Sequence, residues 1–120
     1  MQMYRVPADE LPYKVDSVDI VVELPELVIS EITLLPGQEV PWHYHNNVTD
    51  TFYCLSGCTS IRHGHRGKAK LKPGESISVP SETPHQVENL DAEPCRFLII
   101  QGIGQYDFVP TQAPAGQVEE

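Results

Sequence analysis

Three histidines and one aspartate are the residues of this chain whose types and spacing best suit chemistry. One residue separates His43 from His45, Asp50 follows, and His85 lies forty residues after His45. Imidazole binds Fe, Ni, Zn and Cu, and a carboxylate makes such a site friendlier to Fe(II) or Mn(II). If all four groups bound one octahedral ion, two positions would stay open for a substrate, oxygen or water. Open positions are typical of catalytic rather than structural metal sites.

The local sequence indicates how these side chains would be positioned. Alternate residues of a strand share a face, so His43 and His45 point the same way if they lie on one. The pair Asn46-Asn47 is typical of a turn, and Asp50 begins the next β-prone run. Taken singly, each histidine would more often be a polar residue of a core or pocket. As a spaced set reaching to His85 they favour a metal site, and ligands from three segments need a closed or sandwiched sheet to converge.

Turn residues recur through the middle of the chain and predict an all-β protein. Pro, Gly and Asn signals occur at intervals of about 8–12 residues, a spacing typical of a sandwich or barrel. Several of the short runs between them alternate apolar with polar residues, and no segment has a convincing helical period. The predicted strands are Val18–Glu23, Leu27–Leu35, Val40–His45, Thr51–Leu55, Thr59–His63, Lys68–Leu71, Ser76–Val79, Gln86–Asn89 and Arg96–Gly102.

The composition argues against several classes of partner. Eight basic and seventeen acidic residues give a formal net charge of −9, whereas nucleic acids and anionic membranes need clustered cations. Three cysteines are too few for a disulfide framework, and the odd number suits a reducing compartment. No secretory leader pattern is seen, and the longest continuous apolar run is Phe97–Ile100. We therefore expect a cytoplasmic protein with neither a nucleic-acid nor a membrane partner.

Two longer patterns around the histidines resemble the motifs of the cupin superfamily. The first motif, G-x5-H-x-H-x3,4-E-x6-G, is matched over residues 37–57, with Asp50 in place of the glutamate. The second motif, G-x5-P-x-G-x2-H-x3-N, is matched over residues 74–89, with Glu82 in place of the glycine. A match of this length, in order and over both motifs, is far more specific than a lone H-x-H.

The two departures from the motifs affect different parts of the predicted site. Asp50 is one methylene shorter than glutamate. Either its strand shifts to bring the carboxylate to the ion, or Asp50 lies outside the ligand set and the three histidines hold the metal. Glu82 occupies a position where glycine would allow a positive φ, which other residues tolerate poorly. We therefore expect the turn before His85 to differ in shape.

The resemblance implies a fold, a domain organisation, an assembly and a cofactor. The fold would be an all-β double-stranded β-helix, or jelly-roll barrel, with the metal in its mouth. Residues 1–107 would form one cupin domain, and the Pro, Ala, Gly and Gln content of residues 108–120 predicts a flexible or loosely docked tail. A homodimer is expected, since small members of the family commonly pair. One divalent transition metal per chain, which is Fe, Mn, Ni or Zn, would be bound by His43, His45, Asp50 and His85.

Strand parity places further side chains beside the predicted metal as a substrate pocket. Phe52 and Cys54 share the inward face with the aspartate, and Val87 shares it with the third histidine. Cys54 would then line the pocket, although a small buried apolar residue is the commoner role of such a cysteine. Arg96 would bind a substrate carboxylate if it faced the barrel. If it faced outward, Arg96 would point to solvent. Because the run that follows is apolar throughout, strand parity does not decide which way Arg96 faces.

Two classes of function fit this site. The first is a metal-dependent enzyme acting on a small oxygenated organic molecule, either a dioxygenase-type oxidoreductase or a Lewis-acid isomerase, decarboxylase or lyase. No general base is assigned, although Glu39 and Glu82 lie near the relevant loops. The second is a non-catalytic cupin that binds or senses a small molecule or a metal, because one scaffold hosts many functions. A metal site weakened at Asp50 would favour the second.

Overall fold

The fold is a sandwich of two antiparallel β-sheets. A computed structural model describes residues 2–117, which form eleven strands and a single 3-10 turn at Ala8–Glu10. No helix within that range has the length and apolarity that crossing a bilayer would require. The strands are β1 Tyr4–Arg5, β2 Ser17–Leu24, β3 Leu27–Leu34, β4 Glu39–Tyr44, β5 Thr49–Ser56, β6 Thr59–His63, β7 Gly67–Leu71, β8 Ser76–Val79, β9 His85–Glu88, β10 Cys95–Gly102 and β11 Val109–Pro110.

The order of strands in the two sheets defines a jelly roll. One sheet has the order β1-β2-β3-β10-β5-β8, and the other has the order β11-β4-β9-β6-β7. From β7 onward each successive strand lies in the opposite sheet, so the chain winds around the space between them. This is the arrangement of a double-stranded β-helix, and it confirms the all-β jelly-roll prediction.

The nine predicted strands all form, as β2 to β10, with ends displaced by no more than about two residues. The two-residue strands β1 and β11 were not predicted, because so short a segment carries no periodicity. β10, which holds the apolar run, lies between β3 and β5 in the interior of its sheet. Its inward-facing Phe97 and Ile99 are buried and its outward-facing Leu98 and Ile100 are half-buried.

The core fills the space between the sheets with inward-facing residues of both. Along β10 the residues Cys95, Phe97 and Ile99 are buried, while those between them are more exposed. The rings of Phe52 and Phe97 meet with their centroids 6.0 Å apart. The buried apolar cluster consists of Val15, Val18, Ile32, Leu34, Val40, Phe52, Cys54, Ile61, Leu71, Val79, Val87, Cys95, Phe97 and Ile99.

Segments from both ends of the described chain pack against this core. Leu11, Tyr13 and Phe108 are partly buried against it, and the rings of Tyr13 and Phe108 lie 5.8 Å apart. Beyond Phe108, β11 pairs with β4, and the Gln117 amide donates to the carbonyl oxygen of Gly64 at 2.9 Å. Residues 108–117 are therefore docked, and 118–120 lie outside the described residues. A domain boundary at residue 107 stays a prediction.

Candidate metal centre

Four side chains from both sheets meet inside the sandwich. His43 lies on β4, His45 just beyond its end, Asp50 on β5 and His85 at the start of β9. Their donor atoms all lie within 4.8 Å of one another, and none of the four residues is more than 3% exposed. β5 belongs to the six-stranded sheet, whereas β4 and β9 belong to the five-stranded one. The group therefore bridges the two sheets.

An irregularity in β4 helps to set the histidines side by side. The pairing of β4 with β9 shifts register between Val40 and His43, after which His43 stands directly opposite His85. The centroids of these two rings are 4.3 Å apart. Because of the bulge, Val40 and His43 are both buried on the inward face although three positions separate them. Trp42 packs under the guanidinium of Arg62, 5.6 Å from its ring centroid.

Each of the three histidine rings is oriented by a backbone carbonyl. In every ring the Nδ1 atom lies within hydrogen-bond distance of a carbonyl oxygen. The pairs are His43 with Pro41 (2.7 Å), His45 with Asp107 (2.5 Å) and His85 with Thr83 (2.9 Å). A carbonyl oxygen only accepts, so Nδ1 carries the proton and donates it. In a neutral ring the Nε2 lone pair is then free, and such partners are typical of histidines that bind metal.

The carboxylate of Asp50 faces two of these Nε2 atoms. Its Oδ2 atom lies 2.9 Å from Nε2 of His45 and 2.7 Å from Nε2 of His85. If both rings were neutral, two lone pairs would point at a carboxylate oxygen, which is repulsive. The contacts are favourable only when each Nε2 carries a proton or when a cation lies among the groups. The arrangement therefore requires positive charge at its centre.

The protonation states of the group follow from burial and proximity. Burial opposes the charge of Asp50, but hydrogen bonds from the two histidines outweigh it and hold the pKa of this carboxyl well below its usual range. Burial, followed by the nearby His85, lowers the pKa of His43 to about 4. Burial also disfavours charge on His45, but the Asp50 carboxylate outweighs it and raises the His45 pKa. At neutral pH, Asp50 is thus ionised and His43 neutral, the forms that bind cations.

This donor set fits a divalent transition metal. Bonds of about 2.0–2.2 Å to nitrogen and oxygen place the donors of one ion about 3–4.4 Å apart. The donor atoms lie within 4.8 Å of one another, so small side-chain shifts bring them to such an ion. Three imidazoles and a carboxylate suit Fe, Mn, Ni or Zn. The group contains no thiolate, so it does not resemble a structural zinc cluster.

A cavity of about 210 Å³ opens beside His43 in the interior of the sandwich. Phe52 and Val87 belong to its wall. Cys54 does not, because it lies deeper in the core, fully buried, with its Sγ atom 3.5 Å from the carbonyl oxygen of Gly57. Of the proposed pocket residues on these two strands, Phe52 and Val87 therefore reach the site and Cys54 packs as a small apolar residue.

Arg96 points to solvent and has no contact with the cavity. Its neighbours Cys95 and Phe97 are fully buried, so the alternation of β10 turns the arginine outward. Its side chain is 48% exposed, and its Nε atom donates to a carboxylate oxygen of Glu31 at 3.2 Å. The role of Arg96 as a partner for a substrate carboxylate is therefore corrected to that of a surface ion pair.

Two residues near the end of the described chain support the group through hydrogen bonds. Gln101 stands opposite Asp50 in the pairing of β10 with β5, and its Nε2 atom donates to Asp50 Oδ1 at 3.1 Å. Asp107 offers its carbonyl oxygen to His45 and accepts the backbone N–H of Asn46 on its carboxylate at 2.9 Å. Sequence reasoning missed both. One sequence feature could have identified Gln101, because it is the polar residue that ends an apolar run.

Two aromatic rings from the same segment cover the histidines. Phe108 stacks on His43, with centroids 4.4 Å apart and planes inclined by 17°. Tyr106 lies with its ring centroid 5.4 Å from that of His45. Although Tyr106 is 43% exposed, desolvation of its hydroxyl raises its pKa, and the hydroxyl is protonated at neutral pH. The predicted tail thus begins with a residue that shields a site histidine.

Glu82 adopts the positive φ that a residue with a side chain was expected to avoid. Its φ is 64°, and its backbone N–H donates to the carbonyl oxygen of His45 at 2.6 Å. This contact ties the turn before His85 to the end of β4. The turn therefore has the left-handed conformation that glycine would favour, at some cost in strain.

Comparisons with known proteins agree with this architecture. An uncharacterized protein of Methanocaldococcus jannaschii is 27% identical over 70 residues, which are 58% of this chain and 55% of that protein. The chain thus spans about half the length of the curated relative that it matches. A Klebsiella pneumoniae protein with a double-stranded β-helix domain superposes with a TM-score of 0.70 at 22% identity, over 88% of this chain and 96% of that one.

An enzyme of known metal content has the same fold. The oxalate decarboxylase of Bacillus subtilis, which contains Mn(II) centres, superposes with a TM-score of 0.72 at 23% identity, over 84% of this chain and 33% of that one. The sequence model of the cupin domain matches residues 30–101, more than half of the chain. That range includes His43, His45, Asp50 and His85. The protein therefore belongs to the cupin domain family.

Proposed function

We propose that this protein binds one divalent transition metal per chain, which is Fe, Mn, Ni or Zn, and uses it to transform a small oxygenated organic molecule. One observation carries the proposal. Three histidines donate from Nδ1 to backbone carbonyls while the Asp50 carboxylate faces two of their Nε2 atoms. Four donors are thus aimed at a centre that needs positive charge. The adjoining cavity favours a reactive over a purely structural ion.

The chain's own residues would hold the reactants and protons at this centre. A bound ion would supply Lewis acidity and, if redox-active, electrons for dioxygenase-type chemistry, whereas Zn would suit an isomerase, decarboxylase or lyase. Gln101 fixes Asp50 by hydrogen bonding, and Phe108 keeps water from one face of His43. Glu39 and Glu82 are exposed and outside the cavity wall, so we assign neither as a general base. The protonated Tyr106 in that wall is placed to donate to a substrate oxygen.

A second function is that of a non-catalytic cupin which binds or senses a small molecule. The observation that favours it is the set of hydrogen bonds of Asp50. With the two histidine Nε2 atoms protonated, these bonds satisfy the buried carboxylate without any ion. Such a protein would keep the apolar cavity and lack stoichiometric metal. Metal content therefore separates the two functions.

Elemental analysis of purified, untagged protein tests the metal site. We expect close to one Fe, Mn, Ni or Zn per chain. The double variant His43→Ala, His85→Ala should lose the metal while its circular dichroism stays that of a β-protein. His65→Ala is the matched control, because it removes an exposed imidazole that contacts the carbonyl of Ala115 outside the site. Stoichiometric metal in the double variant would reject the site. No metal in the wild type after incubation with excess ions would favour the binder.

We also propose that the protein forms a homodimer and lies in the cytoplasm. The homodimer is supported by family membership. The location is supported by three free cysteines, Cys54, Cys58 and Cys95, which a reducing compartment would preserve. Light scattering on the eluting protein should give twice the 13.4 kDa mass of one chain. The mass of a single chain would contradict the dimer.

A further inference from the structure

The cavity beside His43 is lined almost entirely by apolar side chains. Among the described residues of its wall, Glu23 is the one carboxylate, and no lysine or arginine occurs. Glu23 is an exposed residue that accepts a hydrogen bond from the Tyr4 hydroxyl at 2.7 Å, so it stands on the solvent side. Gln101 and Ser30 are neutral. The wall itself therefore offers no positive charge to a ligand.

The charge of the metal centre can be counted from its donors. The Nδ1–H groups donate to carbonyls, so each histidine that binds an ion through Nε2 is neutral. Asp50 contributes one negative charge, and a divalent ion in this set therefore leaves a net charge of plus one. One negative charge on a ligand neutralises the centre. A second negative charge would meet apolar side chains and the Glu23 carboxylate, with no cation in the wall to pair with it, which is disfavoured.

The extent of the cavity limits the body of the ligand. It reaches Ile20 on β2, which is three strand positions from the β5 strand of Asp50, or about 14 Å away. Its volume of about 210 Å³ is below the ~300–1,000 Å³ of sites for drug-sized ligands. Such a space accommodates an apolar body of roughly one ring, with its polar end at His43.

We propose that this site takes a monoanion which binds the metal through two oxygen atoms and carries a small apolar body, as a 1,3-diketonate does. This inference rests on the proposed metal site. The two oxygens would complete the coordination of an ion held by the four side chains, and the single charge would neutralise the centre. Ligands with an additional carboxylate, or with two carboxylates and no apolar body, are selected against.

Calorimetric titration with a matched ligand series tests the inference. The protein is loaded with Zn(II) or Ni(II), whichever it retains, and its metal content is measured first. The probes are benzoylacetone, the same diketone with a carboxylate at the para position of its ring, and oxalate. We expect benzoylacetone to bind about 100-fold or more tightly than either other probe. Metal-free protein should bind it far more weakly.

The outcomes separate the inference from the function on which it rests. Failure to retain metal would overturn both. Retained metal with equal or tighter binding of oxalate or of the para-carboxylate would overturn the inference alone. Ile20→Arg adds a cation at the far end of the cavity and should improve binding of the para-carboxylate at least about tenfold relative to benzoylacetone. Val21→Arg, next to it but outside the wall, is the control and should leave the ratio unchanged.

An unchanged ratio in Ile20→Arg protein with wild-type circular dichroism would contradict the charge argument. If that variant does not fold, the ligand series on the wild type still decides, because it needs no substitution. The measurement follows binding rather than turnover, so it does not depend on which reaction the bound metal supports.

Discussion

The metal-free protein should lose stability in acid faster than a variant without the His43 imidazole. His43 is 3% exposed, and its Nδ1 atom donates to the carbonyl oxygen of Pro41. Burial, together with the neighbouring histidines, lowers its pKa from 6.5 to about 4. The substitution His43→Asn removes the titrating ring and keeps a donor that can reach the same carbonyl. The two proteins therefore differ chiefly in one buried proton acceptor.

The sign of the effect follows from which state binds the proton. In the unfolded chain the imidazole is protonated as the pH falls below about 6.5, whereas the folded protein resists protonation until about pH 4. Acid thus favours the unfolded state increasingly across this interval, and the stability is fully present only above it. A difference of about 2.5 pH units, at about 1.4 kcal/mol for each, amounts to about 3 kcal/mol.

Urea unfolding at pH 7.5 and pH 4.5, after removal of metal with a chelator, measures this effect. The wild type should lose about 2–3 kcal/mol more of its free energy of unfolding than His43→Asn between the two values. Asp50 and His45 titrate in both proteins, so their contributions largely cancel in the difference. Equal losses in the two proteins would refute the reasoning, since His43 would then titrate alike in the folded and unfolded states.

The other predictions concern one ligand, one turn and one aromatic ring. If Asp50 supports the histidines without binding the ion, Asp50→Asn should raise the Kd for the metal by about tenfold, which is less than the increase expected for His45→Ala. Competition with a chromophoric chelator measures both values, and equal losses of affinity would indicate that Asp50 binds the ion directly. Glu82→Gly should add about 1 kcal/mol to the free energy of unfolding in urea by relieving a φ of 64°; Ser81→Gly is the control and should add nothing. Phe108→Ala should lower the free energy of unfolding by about 1–3 kcal/mol in thermal unfolding, because the ring is only partly buried. An unchanged melting midpoint would show that the segment around Phe108 does not stabilise the site.

The strands and the shared direction of His43 and His45 could be predicted because their signals are local. Turn residues mark the ends of β2 to β10, and the H-x-H pair needs only two residues on one strand to aim two rings together. The convergence of Asp50 with His85 depends on sheet order, which the spacing of the motifs supplied through family resemblance. Glu82 was identified as a departure from local steric preference, although the structure accommodates it in the left-handed region.

The supporting residues could not be predicted because they act through features that carry no residue-type signal. Asp107 orients His45 with a backbone carbonyl, which any residue could provide, from 62 positions away. Phe108 lies in a segment whose Pro, Ala and Gly content is typical of a tail, and tertiary packing overrides that composition. The inward direction of Gln101 and the outward direction of Arg96 were hidden, because the strand between them is apolar on both faces.

The position of the donor atoms on both sheets gives a bound ion a mechanical role. Asp50 belongs to one sheet and His43 and His85 to the other, so an ion would fasten the two layers, which otherwise adhere through side-chain packing. Separating the layers would then require release of the ion. By mass action, an ion that binds only the folded protein adds about 2.7 kcal/mol at a concentration of 100 times its Kd. The melting temperature therefore reports how fully the site is occupied by an ion. A series of ions can be ranked by affinity in this way before any substrate is known.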